Sequence, residues 1–230
     1  MKTSELVFSL LKELKNKNID AYLVGGSSRD YLLNLDFKDI DICSASLPSI
    51  NQEAMKDYEL VSKDGLFYGT LKYLVDSKEV EITTLRKEGP YIKKRRPSTV
   101  EFITDLYIDS LRRDFTINAI YIDYEGNIID YHGGVEDLNN KVVRMIGNPL
   151  ERIDEDALRI LRAIRLSEKY GFSLEVNLKK TILNNFDLVY SLNKNTLDKE
   201  INRFLEFMTL KEVKDILSRY NIEMERLYEY

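Results

Sequence analysis

The chain has a single cysteine, a single histidine and no tryptophan among 230 residues. One cysteine excludes an internal disulfide framework, and Cys43, two residues past Asp41, reads as an inert buried thiol. There is no signal segment of the charged, apolar and small-residue type, and no apolar run of membrane-spanning length. The expectation is therefore a soluble, cytoplasmic protein. A basic excess is also missing. The 34 Lys and Arg against 39 Asp and Glu leave a net charge of −5, whereas proteins that bind nucleic acid nonspecifically usually carry a positive surplus. Positive charge is instead local, in Lys93-Lys94-Arg95-Arg96, in Arg112-Arg113 and in the series Arg152, Arg159, Arg162 and Arg165. A charge run is more often a solvated face than a binding site, so composition alone leaves the partner open. The length allows one generous domain or two small ones with an ample core.

What is present is concentrated between Ala21 and Cys43. The apolar run Ala21-Tyr22-Leu23-Val24 enters Gly25-Gly26-Ser27-Ser28-Arg29-Asp30 and then an apolar helical patch, which reads as strand, tight turn and helix N-terminus. Such a turn suits phosphate: glycine admits a ligand to the backbone, the first helical N–H groups are unpaired, and the helix dipole there favours anions. Arg29 would reinforce that preference. Downstream, Asp39 and Asp41 alternate with Ile40 and Ile42, so strand geometry sends both carboxylates to one face and both isoleucines to the core. Two such carboxylates repel unless a cation lies between them, and oxygen ligands suit Mg²⁺. Taken singly, Gly-Gly-Ser is usually only a turn and Asp-x-Asp usually a solvated strand edge.

At this spacing the two elements together resemble the catalytic signature of the class II tRNA nucleotidyltransferases, the CCA-adding enzymes and the related bacterial poly(A) polymerases. The resemblance implies an α+β fold, with a polymerase beta-like nucleotidyltransferase head of mixed sheet and flanking helices over residues 1–147 and a helical neck over 148–230. It also implies Asp39 and Asp41 as Mg²⁺ ligands, with Gly25, Gly26, Ser27 and Arg29 at the nucleotide triphosphate. A third carboxylate comes from Val80-Glu81-Ile82-Thr83-Thr84, where Glu81 points away from its apolar neighbours; by itself it would be an exposed strand glutamate. The loop after Lys87 carries Lys93 where the family has an aspartate two residues after the tyrosine. Arg112-Arg113-Asp114 supplies guanidinium forks and a carboxylate, and resembles the family's ribose-recognition motif. His132 falls in the variable part of an Asp-x-x-Gly-Gly connector, which implies no catalytic role.

Regular elements are expected at 3–17 (a helix capped by Thr3-Ser4), 49–57 (helix), 65–75 and 78–86 (strands joined at Asp76-Ser77), and 99–102 (strand-like), with a hairpin turning at Glu125-Gly126-Asn127. Residues 87–109 otherwise read as a charged loop. Beyond Pro149 helices follow at 151–166, 176–184, 195–207 and 210–219. In the first, Asp156, Arg159 and Arg162 recur at three-residue steps on one face, which alone would be a salt-bridged solvent face. The string resembles the family's base-reading motif. An acceptor-only Asp156 beside a donor-only Arg159 complements cytosine and adenine and opposes uracil and guanine, implying CTP and ATP as substrates. Arg162 and Arg165 would extend a positive wall toward phosphate. The implied reaction adds CMP and AMP to the 3′ end of a tRNA or another RNA with release of pyrophosphate. Poly(A) addition, partial CC- or A-addition and an inactive RNA-binding module are the other readings. The resemblance covers the family's front part, without the body and tail domains, and self-association through the apolar C-terminal helices is one way such a chain would hold tRNA.

Overall fold

The computed structural model describes residues 2–37, 39–92 and 96–228, which form two compact units: residues 1–89 with 99–138, and residues 90–98 with 139–230. The first unit begins with α1 (Thr3–Asn16), β1 (Ala21–Leu23), α2 (Gly25–Leu32), β2 (Ile40–Ser44), α3 (Pro48–Ala54) and β3 (Glu59–Ser62), followed by β4 (Thr70–Val75), β5 (Lys78–Thr84) and β6 (Arg86–Glu88). The chain then visits the second unit with the short pair β7 (Tyr91–Ile92) and β8 (Arg96–Pro97). It returns for β9 (Val100–Phe102), α4 (Leu106–Leu111), β10 (Ile120–Ile122), β11 (Ile128–Asp130) and α5 (Gly134–Asn139).

Seven strands form one mixed sheet in the order β11-β10-β1-β2-β5-β4-β3, in which only β2 and β5 run parallel. Strand alternation gives the sheet two unlike faces. Ile40, Ile42, Leu71, Tyr73, Val80 and Ile82 share a core with Leu6, Val7, Leu10, Leu11 and Leu14 of α1. Each such aliphatic burial is worth roughly 1.5–3 kcal/mol. The opposite face carries Asp41, Glu81 and Lys72, with a smaller cluster of Val24, Cys43, Leu85 and Tyr121 beside them.

Several expectations need correction in detail. Thr3 does not cap α1 but lies inside it, donating its hydroxyl to Asp36 at 3.1 Å, while the Lys2 amide is taken by Glu5. The helix expected over 49–57 is α3 and ends at Ala54. The strand expected from residue 65 starts only at Thr70, because Leu66–Tyr68 form a 3₁₀ turn between Gly65 and Gly69. The tight turn between β4 and β5 puts both Asp76 and Ser77 at positive φ, 46° and 64°, as two-residue hairpins with right-handed strand twist require. The segment read as loop over 87–109 contains β6 to β9 and α4; its Lys93 lies outside the described residues.

The second unit continues with β12 (Val142–Val143), α6 (Pro149–Glu155), α7 (Leu158–Tyr170), β13 (Ser173–Leu174), α8 (Val176–Asn184), α9 (Lys194–Leu205) and α10 (Leu210–Ser218). The division falls before Asn139 rather than after residue 147. The reason is that β12 pairs in parallel with β13 and packs on α7, which draws residues 142–143 into the helical unit. Of the apolar stripe Leu197, Ile201, Phe204, Leu205 and Met208, expected as core, the first three are buried within this unit, whereas Met208 is half-buried and Leu205, like Leu210 of α10, is exposed.

Candidate active site

The acidic centre is built by strand register. Asp41 in β2 lies directly beside Glu81 in the parallel neighbour β5, both on the face turned away from α1. Asp39 sits one residue before β2 and is exposed. Burial, then the charges of Glu81 and Asp39, push the Asp41 carboxyl up to about 6, against the pull of Arg113 and Arg29. A carboxylate held up by two like neighbours is an arrangement that a cation relieves. Its all-oxygen donor set is that of a hard divalent ion. Among the described residues, no cluster of three His, Cys, Asp or Glu side chains is drawn tightly enough to hold a metal by itself. Asp39 and Asp41 therefore fit a cation as part of a larger oxygen shell rather than as a closed cage.

Gly25 is needed here for a steric reason. It has φ +74°, and a Cβ on it would stand 3.0 Å from Asp41 Oδ2. The Val24 amide donates to the Asp41 carbonyl at 3.0 Å, so the start of α2 is stitched to the acidic strand. Ser27, expected at the triphosphate, is buried; its hydroxyl donates to the Asp39 carbonyl at 2.9 Å and accepts from the Asp41 amide at 2.8 Å. It thus fixes the backbone of both aspartates instead of offering its oxygen outward. Arg29 is also buried, gripping Asp30 at 2.9 Å and donating to Asn118 Oδ1 at 2.7 Å. Asn118 donates in turn to Asp114 Oδ1, which also takes the Phe115 amide. Asn118 thereby joins α2 to the Arg112-Arg113-Asp114 motif, and no sequence signal singled it out.

The second residue missed from sequence is Asp109, which is fully buried. Its Oδ1 takes Arg112 at 2.8 Å and the Arg86 amide at 3.1 Å; its Oδ2 takes Arg113 at 3.0 Å and the Tyr121 hydroxyl at 2.9 Å. Burial alone would raise this carboxyl, but Arg113, Arg112 and the Arg86 amide outweigh it and hold it well below the usual carboxylate range. The spacing of i, i+3 and i+4 to the two arginines was a legible helix-face signal, hidden because the stretch read as loop. On the same face, Lys72 lies opposite Glu81 and pairs with it at 3.1 Å and with Glu79 at 3.0 Å. Cys43 is buried as expected, and burial pushes its thiol up to about 12.

In the helical unit, the expected single helix over 151–166 is two. Asp156 stands between α6 and α7 with extended backbone, φ −147° and ψ 100°, so it does not share a helix face with Arg159 and Arg162. The break follows from aspartate chemistry: Asp156 Oδ1 takes the Leu158 amide at 3.1 Å, competing with helical hydrogen bonding. The Arg159 amide donates to the Asp156 carbonyl at 3.1 Å, which keeps the two residues adjacent at the start of α7. The Arg159 guanidinium is braced by Glu155 at 2.8 Å and lies over the Tyr91 ring at 5.5 Å. Arg165 is buried and paired with Glu200, itself buried, so this guanidinium ties α7 to α9. Arg162 lies on α7, partly buried.

Residues 21–144 match the poly A polymerase head domain. The CCA-adding enzyme of Staphylococcus saprophyticus is 37% identical over 217 residues, which is 89% of this chain and 54% of that protein. The solved Bacillus stearothermophilus CCA-adding enzyme in complex with CTP superposes with a TM-score of 0.81 at 30% identity, over 95% of this chain and 53% of that one. A tRNA nucleotidyltransferase complexed with a primer tRNA and an incoming ATP analog gives 0.74 at 29% identity, over 96% and 62%. The chain spans about half the length of the curated relatives it matches, 54%, 41% and 48% for three of them. With a mixed sheet that brings Gly25, Asp41 and Glu81 together and a family match covering that whole sheet, the chain belongs to the poly A polymerase head-domain family.

Proposed function

We propose that this chain is the catalytic and nucleotide-selecting part of a template-independent RNA nucleotidyltransferase that adds CMP and AMP to the 3′ end of tRNA and releases pyrophosphate. The observation that carries this reading is the parallel register of Asp41 and Glu81 beside the Gly25 turn. It is supported by the similarity of the chain to CCA-adding enzymes, among them one solved with CTP and another with tRNA. Asp39 and Asp41 would hold Mg²⁺, which when bound neutralises phosphate charge and lowers the pKa of a coordinated hydroxyl. The free N–H groups at the start of α2, from Gly25 and Gly26 onward, receive the triphosphate. Arg29, with Asn118 and Asp114 behind it, sets the orientation of that helix. Glu81 accepts a hydrogen bond from the attacking 3′ hydroxyl and orients it toward the α-phosphate. Arg112 and Arg113, held by Asp109, face the nucleotide with Asp114 at the ribose. Catalysis is then positioning and charge neutralisation, as phosphoryl transfer requires.

Base choice falls to Asp156 and Arg159 at the start of α7. A carboxylate that only accepts and a guanidinium that only donates match the amino and ring-nitrogen edges of cytosine and adenine, and clash with uracil and guanine. A buried polar mismatch of this kind discriminates strongly.

The test supplies Mg²⁺, a tRNA stripped of its 3′ terminus, and each nucleoside triphosphate singly and as CTP plus ATP, with products sized to one nucleotide. Two additions from CTP and one more only with ATP are expected, and none from Asp41→Ala. Long tails from ATP alone would assign the chain to poly(A) synthesis. No addition under any condition would refute the proposal.

A further inference from the structure

The most exposed aromatic ring of the sheet unit belongs to Phe67, 62% exposed, with Leu66 beside it at 43%. A single exposed phenylalanine is ordinary on a protein surface; its mounting is what distinguishes this one. Phe67 sits in the 3₁₀ turn Leu66–Tyr68, clamped at both ends by glycines that no other residue replaces without movement. Gly69 has φ +76°, and a Cβ there would meet Phe102 at 2.7 Å; at Gly65 a Cβ would meet Thr70 Cβ at 2.8 Å. The Thr84 amide donates to the Gly69 carbonyl at 2.9 Å, pinning the turn to the end of β5. A loose surface loop needs none of these restraints.

From the turn an unbroken run of contacts leads to the arginine motif. The Phe67 and Tyr68 rings meet edge-on at 5.0 Å. Arg86 donates to the Tyr68 carbonyl at 2.8 Å and holds its guanidinium 5.4 Å from the Tyr68 ring centre. Arg86 then pairs with Glu88 at 2.8 Å, and Glu88 approaches Arg112 at 3.7 Å. The turn also opens directly into β4, whose Thr70 and Lys72 share the face of Thr83, Glu81 and Asp41. Thr70 and Lys72 are about 7 Å apart along the strand, so the turn stands within reach of the last nucleotides of an RNA whose 3′ end lies at the carboxylates.

We propose that the turn Leu66–Tyr68 is a stacking platform for an unpaired base near the RNA 3′ end, with Phe67 as the ring that takes the base. This rests on the function proposed above. An exposed ring on a rigid mount suits sequence-tolerant stacking, because every base offers a π-face and no ordering of the protein is needed. Continuity with the acidic face and with Arg112 favours an RNA strand over a protein partner.

The absence of tryptophan makes the test direct. Phe67→Trp creates a protein whose tryptophan emission, excited selectively in the presence of its 15 tyrosines, comes from this site alone. The full chain is titrated with a tRNA lacking its 3′-terminal nucleotides and with an unpaired oligoribonucleotide of the same end sequence. The expected result is quenching of Phe67→Trp on binding with affinity retained. Phe67→Ala is expected to bind roughly tenfold more weakly, with its KM for CTP and its melting temperature unchanged. Unchanged RNA affinity of Phe67→Ala, or tryptophan emission indifferent to RNA, would overturn the inference. So would loss of self-association by Phe67→Ala at unchanged RNA affinity, which would make the turn a protein contact. If the unaltered protein neither binds nor extends RNA, the proposed function fails first and takes the platform with it. If it extends RNA and Phe67→Ala does so equally well at limiting RNA, only the platform fails.

Discussion

Replacing Asp109 by alanine removes the one carboxylate that holds Arg112, Arg113, Tyr121 and the Arg86 amide together. The acid is 0% exposed and the two arginine side chains only 14% and 13%, so solvent is poorly placed to take over. Breaking a buried pair from one side costs about 3–5 kcal/mol, because the remaining charge is left desolvated. For a protein of this size that is a fall of roughly 6–20 °C in melting temperature. Calorimetry of wild type and Asp109→Ala at neutral pH reads it directly. The pH dependence is a second, independent check. The folded-state carboxyl of Asp109 is depressed, so its contribution is fully present above the unfolded value of about 4. It is lost as the pH falls below that value toward and through the folded one. Wild type and variant should therefore differ most near neutrality and converge in acid. A difference below about 1 kcal/mol at pH 7, the range of solvent-exposed pairs, would refute the claim that this buried network depends on Asp109.

Three further variants separate packing from chemistry. Gly25→Ala forces a left-handed backbone and sets a methyl against Asp41 Oδ2; it is expected to cost about 1–2 kcal/mol and to abolish nucleotide addition, and an active variant would show that this approach is not required. In the helical unit, Glu200→Ala strands a buried Arg165 and should destabilise by about 3–5 kcal/mol, whereas Arg165→Met with Glu200→Leu should restore most of that stability with the KM for CTP unchanged. A raised KM in the double variant would return Arg165 to the nucleotide.

Much of the molecule is legible in its sequence. Alternation of apolar and acidic residues in Ile40-Asp41-Ile42 and Val80-Glu81-Ile82 states which side chains go to the core and which to the opposite face, because strand geometry allows no other assignment, whereas Asp39, read with them, lies just before the strand. The heptad-like leucines of α1 and the boundaries of α8 were equally plain, the latter falling at Val176 and Asn184 as expected. What lay beyond reach depended on contacts between distant segments. Nothing in Asn118 announces a role until the chain returns Arg29 to it, and the spacing of Asp109 to its two arginines gains its meaning only when Arg86 and Tyr121 close on the same carboxylate. Arg165 looked like its neighbours until α9 brought Glu200 against it. The helix over 151–166 was broken by a local competition that periodicity does not register, an aspartate side chain taking an amide two residues on. Local pattern and a resemblance of motifs thus determined the fold class, the acidic centre and the order of elements. Which charged groups are buried, and which of them pair across the chain as Arg165 and Glu200 do, was decided only by tertiary structure, since burial and such pairing arise between segments that the sequence keeps far apart.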